Sequence, residues 1–303
     1  MKHFFIKQMI IGPTVALKID ELEFDKLKRS REVLLSAKAI EEKYDLLASN
    51  FFELEKEILI QLTQKMIFDT PSYQHMYEIQ SEINRRVVNL LTSTKLYYDH
   101  LEKHVRICMN CKKEYGKEVK SYFSEEYDTS FEYRFMEALR NHVQHYGLAV
   151  DSISLPSTWI GEDKTRELIH KLKIYSTKET LSQNKDFKKV VFNEMPSKVE
   201  LVKAIRIYVG SFSNVHRRVR ELIQENVSSS RTDIEGVIVR YKEANKGDAL
   251  GIYAYMVEID EPTATPIDKF PLLLDWDNVR LNLSQKNRPF PNISKWYVSG
   301  SCL

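Results

Sequence analysis

Apolar residues recur at helical spacing along the first part of the chain. An apolar residue stands every three or four positions between 40 and 58, and a second such stripe runs from 76 to 101. This spacing predicts two long amphipathic helices, and a short connection at Thr70-Pro71 would make them pack antiparallel. The stripes are Ile40, Tyr44, Leu47, Phe51, Leu54 and Ile58, and then Met76, Ile79, Ile83, Val87, Leu90, Tyr97 and Leu101.

Two segments have the pattern of a β-hairpin. In residues 3–19, short β-forming runs flank the turn-forming pair Gly12-Pro13. Near the other end, residues 234–241 and 250–259 are rich in β-branched and aromatic side chains. The sequence Asn245-Lys246-Gly247-Asp248 between them predicts the turn of the second hairpin.

The pattern predicts two regions of different character. Residues 1–150 are expected to form a helical bundle that includes the N-terminal hairpin, and residues 151–303 an α+β accessory region. In the second region, helices are predicted at 163–183 and 197–227, the latter ended by Ser228-Ser229-Ser230. The predicted fold is therefore mainly α, an antiparallel helical bundle with a C-terminal α+β region containing a β-hairpin.

The composition indicates a folded protein that is not strongly basic. Of 303 residues, 43% are hydrophobic and 29% charged, which supplies a sizeable core. The net charge is +2, and both halves are close to neutral, so neither half is a module that holds nucleic acid by bulk charge. Any contact with nucleic acid must come from a local cluster or from assembly of several chains.

The N-terminal residues lack the apolar segment of a signal peptide, and no apolar run approaches the roughly 20 residues that span a bilayer. The three cysteines are an odd number, which fits a reducing compartment better than a disulfide framework. We therefore expect a soluble, cytoplasmic protein without a membrane partner.

A third predicted helix carries the segment whose residue types most clearly suggest a functional site. The capping-box spacing of Thr129 and Glu132 predicts its start, and Gly147 its end. On a helical wheel Arg140, Asn141 and His145 lie on the polar side, with Asn141 and His145 as i,i+4 neighbours. The wheel turns His142 toward the apolar side, so it is expected to be a core or boundary histidine.

The segment Arg140-Asn141-x-x-x-His145 resembles the R-x4-6-H signature of the HEPN superfamily, in which Asn often follows the Arg. The resemblance covers residues 21–150 and also extends to the predicted bundle of long antiparallel helices. It implies a metal-independent endoribonuclease without a cofactor, often a toxin or antiviral-defence effector with an antitoxin or defence-system partner. One toxin branch has a Tyr two positions after the His; here Tyr146 follows directly, so that feature is not carried over.

These residue types suit RNA cleavage. RNA supplies its own nucleophile, the 2′-OH, and a histidine near neutral pKa can transfer the proton. We assign proton transfer to His145, stabilisation of the phosphate to Arg140, and orientation of His145 or the phosphate to Asn141, with no metal. One motif offers only one catalytic histidine, so a homodimer that brings two motifs together is expected.

Two further clusters have competing interpretations. His216, Arg217, Arg218 and Arg220 form a basic cluster that could bind RNA, although a salt-bridged helix face also fits it. The Cys108-x-x-Cys111 pair with His104 could hold zinc or act in redox chemistry. Because the third cysteine, Cys302, is far away in the sequence, neither zinc binding nor redox chemistry is favoured, and the pair is expected to be structurally idle.

Two functions compete with ribonuclease activity: a non-catalytic helical interaction or scaffold protein, and a regulator that binds nucleic acid through the basic cluster. The placement of Arg140 and His145 discriminates between ribonuclease and scaffold. Cleavage requires both side chains to be exposed in a shared cleft, whereas a scaffold would leave them scattered or salt-bridged.

Overall fold

The computed structural model describes residues 2–11, 14–68, 72–162, 165–260 and 263–298. Helices dominate, which confirms the mainly α class with an added β region. The predicted turn at Gly12-Pro13, the connection at Thr70-Pro71 and Cys302 lie outside the described residues. The helices are α1 (Glu21–Phe68), α2 (Tyr73–Cys108), α3 (Lys113–Thr129), α4 (Phe131–His145), α5 (Lys178–Ser182), α6 (Lys189–Glu194), α7 (Leu201–Ala244) and α8 (Asp275–Lys286).

The chain folds into two compact units, each built from three segments. Both units contain residues from either side of position 150, so they do not follow the predicted domain boundary. Unit 1 comprises Met1–Glu42, His100–Glu118 and Val219–Arg288, and unit 2 comprises Lys43–Asp99, Val119–Arg218 and Pro289–Leu303.

In unit 2, α1 and α2 run antiparallel. The rings of Tyr44 and Tyr97 have centroids 5.8 Å apart, and Arg86 Nη1 lies 3.5 Å from Glu53 Oε2. The paired positions rise along α1 as they fall along α2, which is the geometry of an antiparallel pair. Both predicted apolar stripes are buried apart from the partly exposed Met76, so their burial accounts for the packing of these helices.

Helix α7 also runs antiparallel to α1 within unit 2. Its residue Arg206 holds Glu55 through two hydrogen bonds of 2.7 Å, and ten positions later His216 stacks on Tyr44 with ring centroids 3.7 Å apart. The predicted helix at 197–227 is thus present, but it continues without interruption to Ala244. Ser228-Ser229-Ser230 does not end it.

Unit 1 contains a four-stranded antiparallel sheet formed by both ends of the chain. The predicted N-terminal hairpin is present as β1 (Lys2–Gln8) and β2 (Ala16–Ile19). The second hairpin lies further along the chain than predicted, because residues 234–241 belong to α7. Its strands, which we number β8 (Ile252–Asp260) and β9 (Thr263–Pro271), complete the sheet order β2-β1-β8-β9.

Unit 2 contains two small antiparallel sheets, formed by the chain between α4 and α7. The helix predicted at 163–183 is wrong for most of its length, since two strands and only the five-residue α5 occupy the described part. One sheet has the order β3-β6-β7, and the other pairs β4 with β5. The strands are β3 (Ser152–Ser154), β4 (Ser157–Ile160), β5 (Glu167–His170), β6 (Lys173–Thr177) and β7 (Lys198–Glu200).

Candidate functional site

The motif lies on α4, which begins one residue later than its capping-box pattern predicted. Ser130 is the N-cap, and its side chain accepts a hydrogen bond of 3.1 Å from the backbone N–H of Tyr133. Thr129 instead ends α3. At the other end Gly147 is not left-handed; a Cβ there would lie 3.1 Å from His142 Nε2, so glycine permits this close approach.

His142 faces the core, as the helical wheel predicted. The residue is 2% exposed, and its Nδ1 lies 3.0 Å from the side-chain nitrogen of Asn184. Because the amide nitrogen donates, Nδ1 must accept and the ring is held in the neutral form with its proton on Nε2. His142 therefore connects α4 to the segment after α5 and has a structural role.

Burial lowers the pKa of His142 below its usual 6.5, against a smaller raising effect of a backbone hydrogen bond with Leu148. The unfolded chain then binds this proton more readily than the folded chain. The contribution of neutral His142 to folding stability should therefore be fully present above about pH 6.5 and be lost as the pH falls below that value. Urea unfolding across this range should show a shallower pH dependence in His142→Gln. A slope equal to that of the wild type would contradict this expectation.

Arg140 departs from its predicted place on an exposed polar face. The residue is 8% exposed, and its Nη2 donates to Glu137 Oε2 over 3.1 Å. Glu137 also accepts a short hydrogen bond from the hydroxyl of the fully buried Tyr208. The guanidinium is not saturated, because Nε is buried without a hydrogen-bond partner among the described residues.

Asn141 and His145 are both exposed on α4, as predicted. Asn141 contributes to a cleft of about 500 Å³ within unit 2, together with Glu137. Neither Arg140 nor His145 lines this cleft. The structure thus brings Arg140 to Glu137, and Arg140 and His145 do not share this cleft. The cleft is lined by Tyr98, Lys120, Phe123, Ser124, Tyr127, Asp128, Tyr133, Glu137, Ala138, Asn141 and Lys188.

The basic cluster on α7 is not a single exposed surface. His216 is 1% exposed, so it is a core residue and not an RNA ligand. Its Nδ1 lies 2.9 Å from the Tyr97 hydroxyl, and its ring stacks on Tyr44. The prediction failed because those two partners come from α1 and α2, far away in sequence.

The three arginines of the cluster are engaged by neighbouring groups. Arg217 donates to the Asn214 side chain over 3.0 Å. Arg218 lies 3.7 Å above the ring of Tyr122 and forms an ion pair of 2.6 Å with Glu125, which lowers the pKa of that carboxyl. Arg220 is held by Glu41 and by the backbone oxygen of Asn287.

The Cys108-x-x-Cys111 pair is divided between the core and the surface. Cys108 is fully buried, its Sγ lies 3.6 Å from the Val33 carbonyl oxygen, and burial raises its thiol pKa to about 12. Cys111 is exposed, with φ of 59° after α2 ends. A thiol with so high a pKa is a poor nucleophile, so Cys108 serves as packing. Among the described residues, no group of three or more His, Cys, Asp or Glu is placed to hold a metal ion.

Three residues that fix the motif in place were missed by sequence reasoning. Glu137 stands three positions before Arg140, a helical ion-pair spacing that the sequence shows. Tyr208 and Asn184 are distant in sequence, and no local pattern connects them with α4.

Comparisons with protein-family models, curated proteins and solved structures find no match for this chain. None of the helices in the described segments is both long and apolar enough to cross a membrane.

Proposed function

We propose that the chain is a metal-independent endoribonuclease of the HEPN type, which cleaves RNA by attack of the 2′-OH on the adjacent phosphate. The observation that carries the proposal is the exposed pair Asn141 and His145 at the end of a motif helix within a helical bundle. The finer parts of the proposal are a role as toxin or antiviral-defence effector in the cytoplasm, and regulation by an antitoxin or defence-system protein.

His145 is the proton-transfer group in this proposal. It is exposed in the last turn of α4, where an RNA backbone can reach the imidazole. At that position the imidazole can take the proton of the 2′-OH or supply one to the leaving oxygen. Asn141 lies one turn earlier on the same exposed side, where its amide can orient the phosphate or the imidazole.

Arg140 is the phosphate-stabilising group in this proposal. Glu137 occupies one guanidinium nitrogen, while Nε has no partner among the described residues. A phosphate oxygen could then compete with Glu137 for the guanidinium, since charge-assisted pairs with phosphate are strong. Because one motif supplies only one catalytic histidine, the proposed site is composite and needs a homodimer.

The second candidate is a non-catalytic interaction protein, and the ion pair between Arg140 and Glu137 favours it. An arginine that is 8% exposed and paired with a carboxylate on its own helix is the arrangement expected of a scaffold. On this alternative, Arg140 stabilises α4 against Tyr208 through Glu137, and His145 is an ordinary surface residue.

Incubation of purified protein with RNA in excess EDTA separates the two candidates. The ribonuclease proposal expects endonucleolytic products that end in a 2′,3′-cyclic phosphate, the direct result of attack by the neighbouring 2′-OH, and no cleavage of DNA. Sedimentation of the same sample should show a dimer. Intact RNA at every protein concentration, or cleavage that EDTA abolishes, would reject the ribonuclease proposal. The non-catalytic interaction protein would then be the remaining candidate.

A further inference from the structure

The four-stranded sheet of unit 1 has one buried face and one open face. On β1 the side chains of Phe4 and Ile6 are buried, whereas Phe5 between them is partly exposed. On β8 the same alternation buries Ile252 and leaves Tyr253 partly exposed. The open face is therefore formed by the odd-numbered positions of β1 and of the first half of β8.

Three aromatic rings occupy the centre of this open face. Phe5 and Tyr255 are direct cross-strand neighbours, with ring centroids 5.4 Å apart and planes inclined by 17°. Tyr253 lies two positions before Tyr255, and these two rings have centroids 6.1 Å apart. Large side chains that leave part of their rings in solvent on adjoining strands form a platform on which flat, unsaturated groups can stack.

Lysines flank the platform in the register of the sheet. Lys18 on β2 pairs with Phe5, and Lys269 on β9 pairs with Tyr255, so a lysine stands at each end of this cross-strand row. In the next row Lys7 pairs with Tyr253.

The described part of the open face carries cations without opposing carboxylates. Asp268, the neighbour of Lys269, points to the other face, where it accepts a hydrogen bond of 2.7 Å from Lys28. The described solvent-facing positions hold no aspartate or glutamate; they are His3, Phe5, Lys7, Ala16, Lys18, Tyr253, Tyr255, Pro266, Lys269 and Pro271. A surface of one charge sign around aromatic rings complements an anion with aromatic groups.

A depression of about 610 Å³ lies over part of this face. Phe5 and Tyr255 contribute to it from the platform, and the exposed Met9 and Ile10 from the end of β1. Its lining residues come from three neighbouring strands, β1, β8 and β9, which suits a short run of stacked groups.

We propose that the open face of this sheet binds single-stranded RNA, with two or three bases on Phe5, Tyr253 and Tyr255 and the backbone phosphates near Lys7, Lys18 and Lys269. Base stacking on aromatic side chains with lysines along the backbone is the usual way of holding single strands without reading sequence. This RNA site uses none of the α4 motif residues, so RNA binding at the sheet can be tested separately from RNA cleavage.

The test measures binding of a labelled oligouridine of about ten nucleotides by fluorescence anisotropy, in a His145→Ala background that is expected to slow cleavage. Tyr255→Leu should weaken binding roughly 5- to 150-fold without changing its salt dependence, since it removes stacking alone. Lys18→Glu with Lys269→Glu should lower the slope of log affinity against log salt by about 1.4, because two phosphate contacts are lost.

The matched control is the pair Lys173→Glu and Lys198→Glu, two exposed lysines on the neighbouring strands β6 and β7 of unit 2. This control should leave the affinity within about twofold of its background, and thermal melts should show that all variants fold. Absence of oligouridine binding, or equal losses in the sheet and control variants, overturns the proposal. Binding without any cleavage by the wild type would reject only the ribonuclease.

Discussion

His145→Ala is expected to slow cleavage of RNA by about 10²–10⁴-fold, the range for loss of a positioned acid or base. His145 is exposed in the last turn of α4, so its removal should not disturb the core. The loss should therefore appear in the rate and not in the melting temperature. Single-turnover cleavage in EDTA, with circular dichroism melts of the same preparations, measures both quantities.

His100→Ala is the matched control, because His100 is another exposed helical histidine, on α2. It should cleave at the wild-type rate. Arg140→Lys should also lose activity, because an ammonium cannot reproduce the forked contacts of a guanidinium. Full activity in His145→Ala, or equal losses in the two histidine variants, would exclude His145 as the proton-transfer group.

The long helices were predictable because their signal is local and repeated. The stripe from Ile40 to Ile58 gives five consecutive helical spacings, and every member is buried. The error at 234–241 shows the limit of composition. Its β-branched content suggested a strand, yet the buried residues Ile234, Val237 and Tyr241 are spaced by three and four, as in a helix. Spacing was the better signal.

The small strands of unit 2 were not predictable in the same way. In β6, Ile174 and Ser176 are both buried. Because serine is polar, the sequence does not show the alternation of apolar and polar residues that predicts a strand. Ser176 is buried because its hydroxyl hydrogen-bonds to the carbonyl oxygen of Ala149. That partner lies 27 positions earlier, so the alternation becomes visible only after the chain has folded.

The candidate site was predictable to the extent that it depends on helical phase. Phase alone places Asn141 and His145 outward and His142 inward, and the structure agrees. Phase could not place Arg140, whose long side chain is drawn to Glu137 beside the buried Tyr208. The spacing of Glu137 and Arg140 is visible in the sequence, but Tyr208, which holds Glu137, lies 71 positions further along and has no signature in a local window.

Arg220→Ala is expected to reduce the free energy of unfolding by about 3 kcal/mol, although Arg220 belongs to the cluster first considered for RNA binding. Its Nε and Nη2 donate to the two carboxylate oxygens of Glu41 over 2.8 and 2.6 Å. The Glu41 side chain is 7% exposed. Removal of the guanidinium takes a two-point cationic partner away from a mostly buried carboxylate. The backbone oxygen of Asn287 also loses a donor at 2.9 Å.

Arg218→Ala provides the matched control two positions earlier on the same helix. Its partner Glu125 has a side chain that is 58% exposed, so loss of this pair should lower stability much less than loss of the pair between Arg220 and Glu41, even with the stacking on Tyr122. Urea unfolding of both variants measures the difference. The double variant Glu41→Leu with Arg220→Leu should recover part of the loss, because it removes the buried charge together with its partner. Equal stability of the two arginine variants, with a loss of RNA affinity only in Arg220→Ala, would contradict this expectation and indicate that Arg220 binds RNA.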